Sequence, residues 1–240
     1  MKIEGKNPVR ELLKTDETIE KLMIVNGTND AELRKFQQIA KDKGVKVEFA
    51  DRRALDKLSE TGHHQGVIAF YTDFKYADLN ETILKLRNDG KDILFIVLDE
   101  VLDPHNLGSV IRVAECAGAS GVIIPARRSA TVNETVVRTS AGATAYMPVI
   151  KVNNLNQAIE EMKKQNIWVY AADMDGEQMY KANLKGDIAL VVGGEGTGVR
   201  DLTKKLCDGV ISIPMYGKVN SLNDSVSAGI VLYEAVRQRV

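Results

Sequence analysis

The sequence is poor in the residues that mark secreted, membrane and metal-binding proteins. It has two cysteines, without CxxC spacing, and three histidines, of which His63 and His64 are neighbours. We expect neither a disulfide framework nor a metal site, because adjacent residues rarely converge on one ion without further ligands. No apolar run approaches the roughly 18 residues of a membrane span, and the N-terminus lacks a signal peptide's apolar core. These absences predict a cytoplasmic protein that is not bound to a membrane.

Features that commonly indicate nucleic-acid binding are also scarce. The formal net charge is −1 and aromatic residues make up 5% of the chain. Neither a global basic field nor an aromatic platform for stacked bases is therefore indicated. A local patch can still bind RNA on a neutral protein. Arg127 and Arg128, together with Arg138, form a basic cluster that could contact phosphates, although such clusters are usually only solvated surface.

The chain does contain alternating helix and strand patterns, which predict an α/β protein with a mainly parallel sheet. Its 44% hydrophobic and 27% charged residues are typical of a soluble globular protein. We predict a first domain over residues 1–72, a polar linker and helix over 73–90, and a second domain over 91–240. The predicted strands of the second domain are 93–98, 121–124, 146–150, 167–171, 188–192 and 209–213.

Three helix starts carry capping signals, and Ser221 and Asn223 are the cap candidates of the last one. Asn7, followed by a proline, predicts the N-cap of a first helix, and Asn106 occupies an N-cap position before a helix over about 107–117. A final helix over about 223–239 has apolar residues around much of its circumference, so we expect it to be buried on more than one side. Its apolar positions include Val226, Ile230, Val231, Leu232, Tyr233 and Val236.

Two glycine-containing loops follow predicted strands and are the most informative feature of the chain. Strand 188–192 leads into Gly193-Gly194-Glu195-Gly196-Thr197-Gly198, and strand 209–213 leads into a proline-glycine loop and then Ser221-Leu222-Asn223-Asp224-Ser225. Ligands of open α/β sheets bind at the carboxyl ends of strands, so the two loops predict one small-molecule site. The absence of a lysine after Gly198 excludes a Walker A loop, and the glycine spacing does not fit a dinucleotide fingerprint.

Arg112 is the charged residue best placed to join that site from another segment. It lies off the buried stripe of the helix over about 107–117. Helical side chains lean toward the helix N-terminus, so we expect its guanidinium over a loop at Pro104–Gly108. An arginine there is commonly a solvated surface charge, but its fork of donors could also bind a phosphate.

Three of these segments together resemble the motifs of the SpoU (TrmH-type) ribose 2′-O-methyltransferases of the SPOUT class. Asn106 with Arg112, the glycine turn, and Ile213-Pro214-Met215 with Ser221–Ser225 occur in the family's order and spacing. Gly5-Lys6-Asn7-Pro8-Val9 and His63-His64-Gln65-Gly66-Val67 are similar to the small L30e/L7Ae-like RNA-binding domain of the RlmB branch. Asp224 and Ser227 depart from the family's usual valine and frequent alanine.

The resemblance implies a homodimer whose C-terminal SPOUT domain has a deep trefoil knot, binds S-adenosylmethionine and needs no metal. It also implies methylation of a guanosine ribose in 23S rRNA, as free RNA or in a large-subunit assembly particle. Two alternatives stay open, a tRNA ribose 2′-O-methyltransferase and a non-catalytic RNA-binding or ribosome-assembly protein. The implied catalytic residues are Asn106, Arg112, Glu195, Ser221 and Asn223. The implied cofactor-binding residues are Gly193, Gly194, Ile213, Met215 and Leu222.

Overall fold

The computed structural model describes residues 1–15, 17–72, 74–194, 196, 198–218 and 221–240. The chain divides into two compact units, Met1–Lys75 and Tyr76–Val240. Within the described ranges, no helix is both long enough and apolar enough to cross a membrane.

The first unit is built on a four-stranded sheet with strand order β1-β4-β2-β3. Strand β4 pairs antiparallel with β1 and β2, and β2 pairs parallel with β3. The described elements are β1 (Lys2–Glu4), α1 (Lys6–Leu12), β2 (Thr18–Val25), α2 (Ala31–Asp42), β3 (Lys46–Ala50), α3 (Arg52–Leu58) and β4 (Val67–Thr72). Buried residues of α1 and α2, such as Val9 and Phe36, pack with Leu22 of β2 into a core of this unit's own.

The start of α1 differs from the sequence-based expectation. The helix begins at Lys6, and Gly5, with a φ of 92°, is its N-cap. The predicted N-cap at Asn7 is therefore wrong; its Oδ1 accepts a hydrogen bond from Arg10 Nη1 at 2.9 Å instead. Only glycine adopts such a φ without strain, so the backbone of Gly5 rather than a capping side chain sets the helix start. Strand β1 is too short for alternation to reveal it, and the sequence analysis missed it.

The second unit contains a six-stranded sheet with strand order β10-β8-β9-β5-β6-β7, and every pairing in it is parallel. The predicted α/β class with a mainly parallel sheet is confirmed. The described elements are α4 (Leu79–Asn88), β5 (Leu94–Asp99), α5 (Pro104–Cys116), β6 (Gly121–Pro125), α6 (Glu134–Thr139), a 3-10 turn (Ala143–Ala145), β7 (Val149–Val152), α7 (Leu155–Lys164), β8 (Trp168–Gln178), β9 (Ile188–Gly193), α8 (Asp201–Leu206), β10 (Gly209–Ser212) and α9 (Asp224–Arg239). The trefoil knot stays a prediction.

The core of this sheet lies along its central strands. Every residue of β5 is buried, and so are Ile188–Val192 of β9. Such continuous apolar runs are typical of parallel strands covered on both faces. Strand β8 extends beyond the predicted 167–171. The prediction ended too early because the second half of the strand is polar and has no apolar alternation. That half pairs with β10 after a register shift, where an added Cβ on Gly176 would lie 2.6 Å from backbone atoms of Ile211.

Helix α5 begins three residues before the predicted start. Asp103 is its N-cap, accepting from the His105 backbone N–H at 2.9 Å, and Pro104 follows at the first helical position. A proline at this position already has a helical φ, and it has no backbone N–H that would lack a partner. The helix therefore begins after Asp103, and the N-cap predicted at Asn106 is wrong. The segment expected to be a loop beneath Arg112 is thus a helical turn. The side chain of Asn106 is consequently available for contacts outside its own helix.

Helix α9 runs from the site to the opposite end of the sheet. Asn223 caps its first turn through a bond from Ser225 N to Asn223 Oδ1 at 3.0 Å. At its last turn, Arg239 donates to the backbone carbonyls of Ile93, Leu184 and Gly186. The buried residues of the helix are Asp224, Ala228, Val231, Leu232, Glu234 and Ala235.

The burial predicted for α9 on more than one side is only partly present in a single chain. Val226 and Tyr233 are each 49% exposed. Some of the apolar residues that the sequence pattern predicted to be buried are therefore in the core of the unit, and others are on its surface.

Candidate active site

A cavity of about 450 Å³ lies beside the carboxyl ends of β9 and β10 and the middle of β8. Its volume is within the roughly 300–1,000 Å³ of typical small-molecule sites. Five segments line it: the middle of β8 at Ala172–Met174, the end of β9 with the glycine-rich turn, Lys204 of α8, the loop after β10, and the start of α9. The two loops that the sequence predicted to form one site thus border a single cavity.

The residues predicted to bind cofactor all line this cavity. They are Gly193, Gly194, Ile213, Met215 and Leu222. Ser221, predicted as catalytic, lines it as well. Glu195, also predicted as catalytic, lies outside the described residues, so its place in the site stays a prediction.

The glycine-rich turn is packed backbone against backbone. A Cβ added at Gly193 would lie 1.9 Å from the carbonyl carbon of Gly198, and one at Gly194 would lie 2.3 Å from the carbonyl oxygen of Glu100. Gly194 N donates to Asp99 O at 2.9 Å, and Gly198 N donates to Gly194 O at 3.1 Å. Glycine is required at these two positions because the chain itself occupies the space of a side chain. The backbone groups of the turn are thereby fixed at the cavity wall.

An ion pair between the buried Asp99 and the partly exposed Arg200 anchors the same turn to β5. The carboxylate of Asp99 is fully buried at the strand end, and its Oδ1 accepts from Arg200 Nε at 2.8 Å and lies 2.7 Å from Arg200 Nη2. The backbone N–H of Arg200 donates to Asp99 Oδ2 at 3.1 Å. The hydrogen bond that Arg200 donates to Asp99 raises the pKa of Arg200, and the charge of Glu100 adds to the effect. The sequence analysis missed this pair, although a carboxylate ending a buried strand was a visible signal.

A chain of amide hydrogen bonds joins α5 to α9. Asn223 Nδ2 donates to Asn106 Oδ1 at 3.1 Å, and Asn106 Nδ2 donates to Asp224 Oδ2 at 3.4 Å. Asn223 serves at the same time as the N-cap of α9. The sequence offered capping and catalysis as competing explanations for Asn223, whereas in the structure one side chain makes both the cap and the contact to Asn106.

Arg112 lies apart from this group. Its side chain is exposed on α5 and does not line the cavity. Among the residues that the structure describes, it has no hydrogen-bond partner. The structure therefore brings Asn106 and Asn223 into contact, places Ser221 at the cavity, and leaves the guanidinium of Arg112 available to a ligand.

Two charged residues that the sequence analysis did not single out also line the cavity. Lys204 of α8 and Asp173 of β8 form an ion pair, with Lys204 Nζ 3.1 Å from Asp173 Oδ2. Hydrogen bonding to Asp173 raises the pKa of Lys204. The two residues are distant in sequence and belong to no shared motif, so only the fold brings them together.

The three arginines predicted to contact RNA are exposed. Arg128 forms an ion pair with Glu100 at 3.3 Å. Arg138 lies in the last turn of α6, which packs closely on α5, since an added Cβ at Gly108 would be 2.7 Å from Thr139 Cβ. This packing holds Arg138 near the first turns of α5. A role for these arginines and Arg127 in RNA binding stays a prediction.

Over the described ranges, no group of three or more His, Cys, Asp or Glu side chains is arranged to hold a metal ion. Among the described residues, the polar groups that border the cavity are backbone amides, the hydroxyls of Ser221 and Ser227, the carboxylates of Asp173 and Asp224, and the ammonium group of Lys204. Such a set suits an organic ligand with several polar and charged groups.

Comparison with known proteins gives two family matches that together span most of the chain. The SpoU rRNA Methylase family matches residues 93–233, and the RNA 2′-O ribose methyltransferase substrate binding family matches residues 2–77.

Relatives match over nearly their whole length. YacO of Bacillus subtilis strain 168, assigned to the TrmH family of tRNA/rRNA methyltransferases, is 40% identical, with 98% of this chain and 94% of the relative covered. The 23S rRNA (guanosine-2′-O-)-methyltransferase RlmB of Xanthomonas campestris pv. campestris is 40% identical, with 99% and 96% covered. The crystal structure of the SpoU methyltransferase AviRb from Streptomyces viridochromogenes with AdoMet has a TM-score of 0.63 at 23% identity, with 99% and 90% covered.

We expect Gly193→Ala to destabilise the second unit even without any ligand, because the new methyl group meets the backbone of Gly198. Overpacking of this kind should lower the free energy of unfolding by about 3 kcal/mol or more. Urea unfolding followed through the fluorescence of Trp168, the chain's only tryptophan, measures it. Gly217→Ala is the matched control, since nothing lies within 4 Å of its added Cβ, and its effect should stay under about 0.5 kcal/mol. Equal stability of the two variants would contradict the packing described here.

Proposed function

Because the chain belongs to the SpoU rRNA methylase family, we propose that it methylates the 2′-hydroxyl of a guanosine ribose in 23S rRNA. The chain is an RNA ribose 2′-O-methyltransferase, and its methyl donor is S-adenosylmethionine. Action on this RNA would place the enzyme in the cytoplasm, on free 23S rRNA or on a large-subunit assembly particle.

The cavity at the glycine-rich turn supports this proposal most directly. S-adenosylmethionine has an adenosine with hydrogen-bonding edges, a zwitterionic amino-acid group and a cationic sulfur. The cavity offers backbone groups of Gly193 and Gly194, the apolar side chains of Ile213 and Leu222, and charged side chains. Its volume of about 450 Å³ suits a ligand of this size. The residues present therefore fit the methyl donor.

When bound, S-adenosylmethionine supplies an already activated methyl group. The chain's own residues need only to position a ribose hydroxyl and to help its proton leave. We propose that Asn106 and Asn223, fixed to each other at 3.1 Å, orient the ribose at the mouth of the cavity. Ser221 would add a hydroxyl from the cavity wall, and Glu195 would orient Asn106, Arg112 or the substrate by charge-assisted hydrogen bonds.

Arg112 is proposed to bind the phosphate next to the target ribose and to stabilise charge developing on its 2′-oxygen. A guanidinium keeps its proton in folded proteins, which disfavours it as a free base. Its planar fork of donors suits a phosphate. The exposure of Arg112 on α5, without a hydrogen-bond partner among the described residues, is what this role requires.

We also propose that the two domains have different functions. Residues 1–72 would bind RNA, 73–90 would connect, and 91–240 would carry out methyl transfer. The match of residues 2–77 to a substrate-binding family and the separate core of the first unit support this proposal. Arg127, Arg128 and Arg138 would add phosphate contacts beside the site.

The proposed assembly is a homodimer with an isologous interface that includes α9. Val226 and Tyr233 are apolar positions of that helix, and each is 49% exposed in the single chain. A second copy packed on this face would remove them from water, which the apolar pattern of the helix favours.

Methyl transfer to purified RNAs tests the substrate. Tritium from labelled S-adenosylmethionine should enter 23S rRNA from cells lacking the gene, either as free RNA or in large-subunit particles, and digestion should recover it as 2′-O-methylguanosine. Label in tRNA alone would instead establish the tRNA alternative. Intact cofactor binding without transfer to any of these RNAs would favour the non-catalytic alternative.

Sedimentation at micromolar concentration tests the assembly. We expect a species of twice the 26.4 kDa chain mass. Tyr233→Asp should shift it toward the monomer by placing a charge in the interface. Leu84→Asp, at another exposed apolar position 61% accessible on α4, should not. A wild-type monomer with full methyl transfer would refute the dimer.

For Arg112→Lys we expect a loss of at least tenfold in the rate of methyl transfer, with calorimetric affinity for S-adenosylmethionine unchanged. The lysine keeps the charge but not the bidentate geometry. Arg87→Lys is the matched control, because this arginine lies on α4 of the same unit and pairs with Asp187 at 3.7 Å. Near wild-type turnover by Arg112→Lys would show that charge alone suffices and that the bidentate role is wrong.

A further inference from the structure

Asp224 is a buried carboxylate that the proposed reaction does not yet use. It is 4% exposed, it lines the cavity, and it is the first residue of α9. Its Oδ2 accepts one long hydrogen bond, 3.4 Å from Asn106 Nδ2. Its Oδ1 is buried and has no partner among the described residues. Leaving a buried carboxylate oxygen without a partner is costly, so this arrangement calls for an explanation.

The negative charge of Asp224 is not matched by a positive charge among the described residues that line the cavity. Among the described lining residues, the charged side chains are Asp173, Lys204 and Asp224. Asp173 and Lys204 neutralise each other at 3.1 Å. No ion pair within the described ranges involves Asp224. The described part of the lining therefore carries one uncompensated negative charge.

A cationic ligand would remove this imbalance. S-adenosylmethionine carries a positive sulfur in addition to its zwitterionic amino-acid group, whereas S-adenosylhomocysteine, the product after methyl transfer, has a neutral sulfur. The two ligands otherwise share every polar group. Charge–charge attraction is stronger in a poorly solvated cavity than in water, so a fixed carboxylate there can distinguish them.

We propose that Asp224 balances the sulfonium charge of bound S-adenosylmethionine and so makes the site prefer the methyl donor over its demethylated product. This inference rests on the proposed function of the cavity and assigns a specificity-determining residue within it. The amide chain from Asn223 through Asn106 holds the carboxylate in place. Transfer of the methyl group removes the charge, so the attraction to Asp224 ends as the product forms and release is favoured.

The position of Asp224 also permits a purely structural role. A negative charge at the first residue of a helix interacts favourably with the helix dipole. That role would stabilise the fold whether or not a ligand is bound, and it would not distinguish two ligands that differ only at sulfur. Ligand preference therefore separates the two roles.

Calorimetry on the full chain, without RNA, provides the test. Asp224→Asn keeps the shape and removes the charge, so S-adenosylmethionine binding should weaken at least tenfold, or about 1.4 kcal/mol. Binding of S-adenosylhomocysteine should change less than threefold. Asp224→Glu retains the charge and should preserve the preference. Ser227→Ala is the matched control, since it removes an uncharged lining group and should affect both ligands alike.

A measurement on the wild-type protein keeps the test independent of variant folding. In sinefungin a carbon bearing a protonated amine replaces the sulfur and its methyl group, so the positive charge is kept and sinefungin should bind at least tenfold more tightly than S-adenosylhomocysteine. Equal or weaker binding of sinefungin would overturn the inference. So would an Asp224→Asn variant that weakens both natural ligands equally or neither of them. Wild-type protein that binds none of the three would instead refute the assignment of the methyl donor itself.

Discussion

The close packing of the 193–198 turn against the end of β5 is the constraint on which the site depends. Gly193 and Gly194 occupy positions where the backbone of Gly198 and Glu100 fills the space of a Cβ. The Asp99–Arg200 ion pair holds the segment that follows the turn against the end of β5. Because backbone groups cannot change rotamer, a wall built from them is rigid. The wall at Gly193, Gly194 and Gly198 is therefore set by the fold, and a wall that is already ordered lowers the entropic cost of binding.

Much of the fold followed from sequence because its signals are local. Strands β5, β6 and β9 are continuous buried apolar runs, and α9 begins after Asn223, one of the cap candidates that the sequence offers. The misplaced features have local causes as well. Two cap signals compete before α5, at Asp103 and Asn106, and the polar end of β8 has no apolar alternation. Neither ambiguity can be resolved without the neighbours that the fold provides.

The candidate site was predictable only where a motif is contiguous. The glycine turn and the loop after β10 could be located from their own residues. The pairings of Asp99 with Arg200 and of Lys204 with Asp173 join residues far apart in sequence, and sequence spacing contains no information about such distances. Family resemblance supplied Asn106 and Asn223, yet their direct contact emerged only from the structure. Long-range side-chain pairing is therefore what the sequence alone left undetermined.

Helix α9 is one continuous helix that contributes to three regions of the second unit. Its first turn borders the cavity through Asp224, one face carries the exposed Val226 and Tyr233, and its last turn is held by Arg239 to carbonyls at the far end of the sheet. A straight helix of 16 residues spans about 24 Å. A shift of the helix as one body would therefore move all three regions together. A substitution on the exposed face of this helix that shifts its axis would therefore also change the wall of the cavity at Asp224.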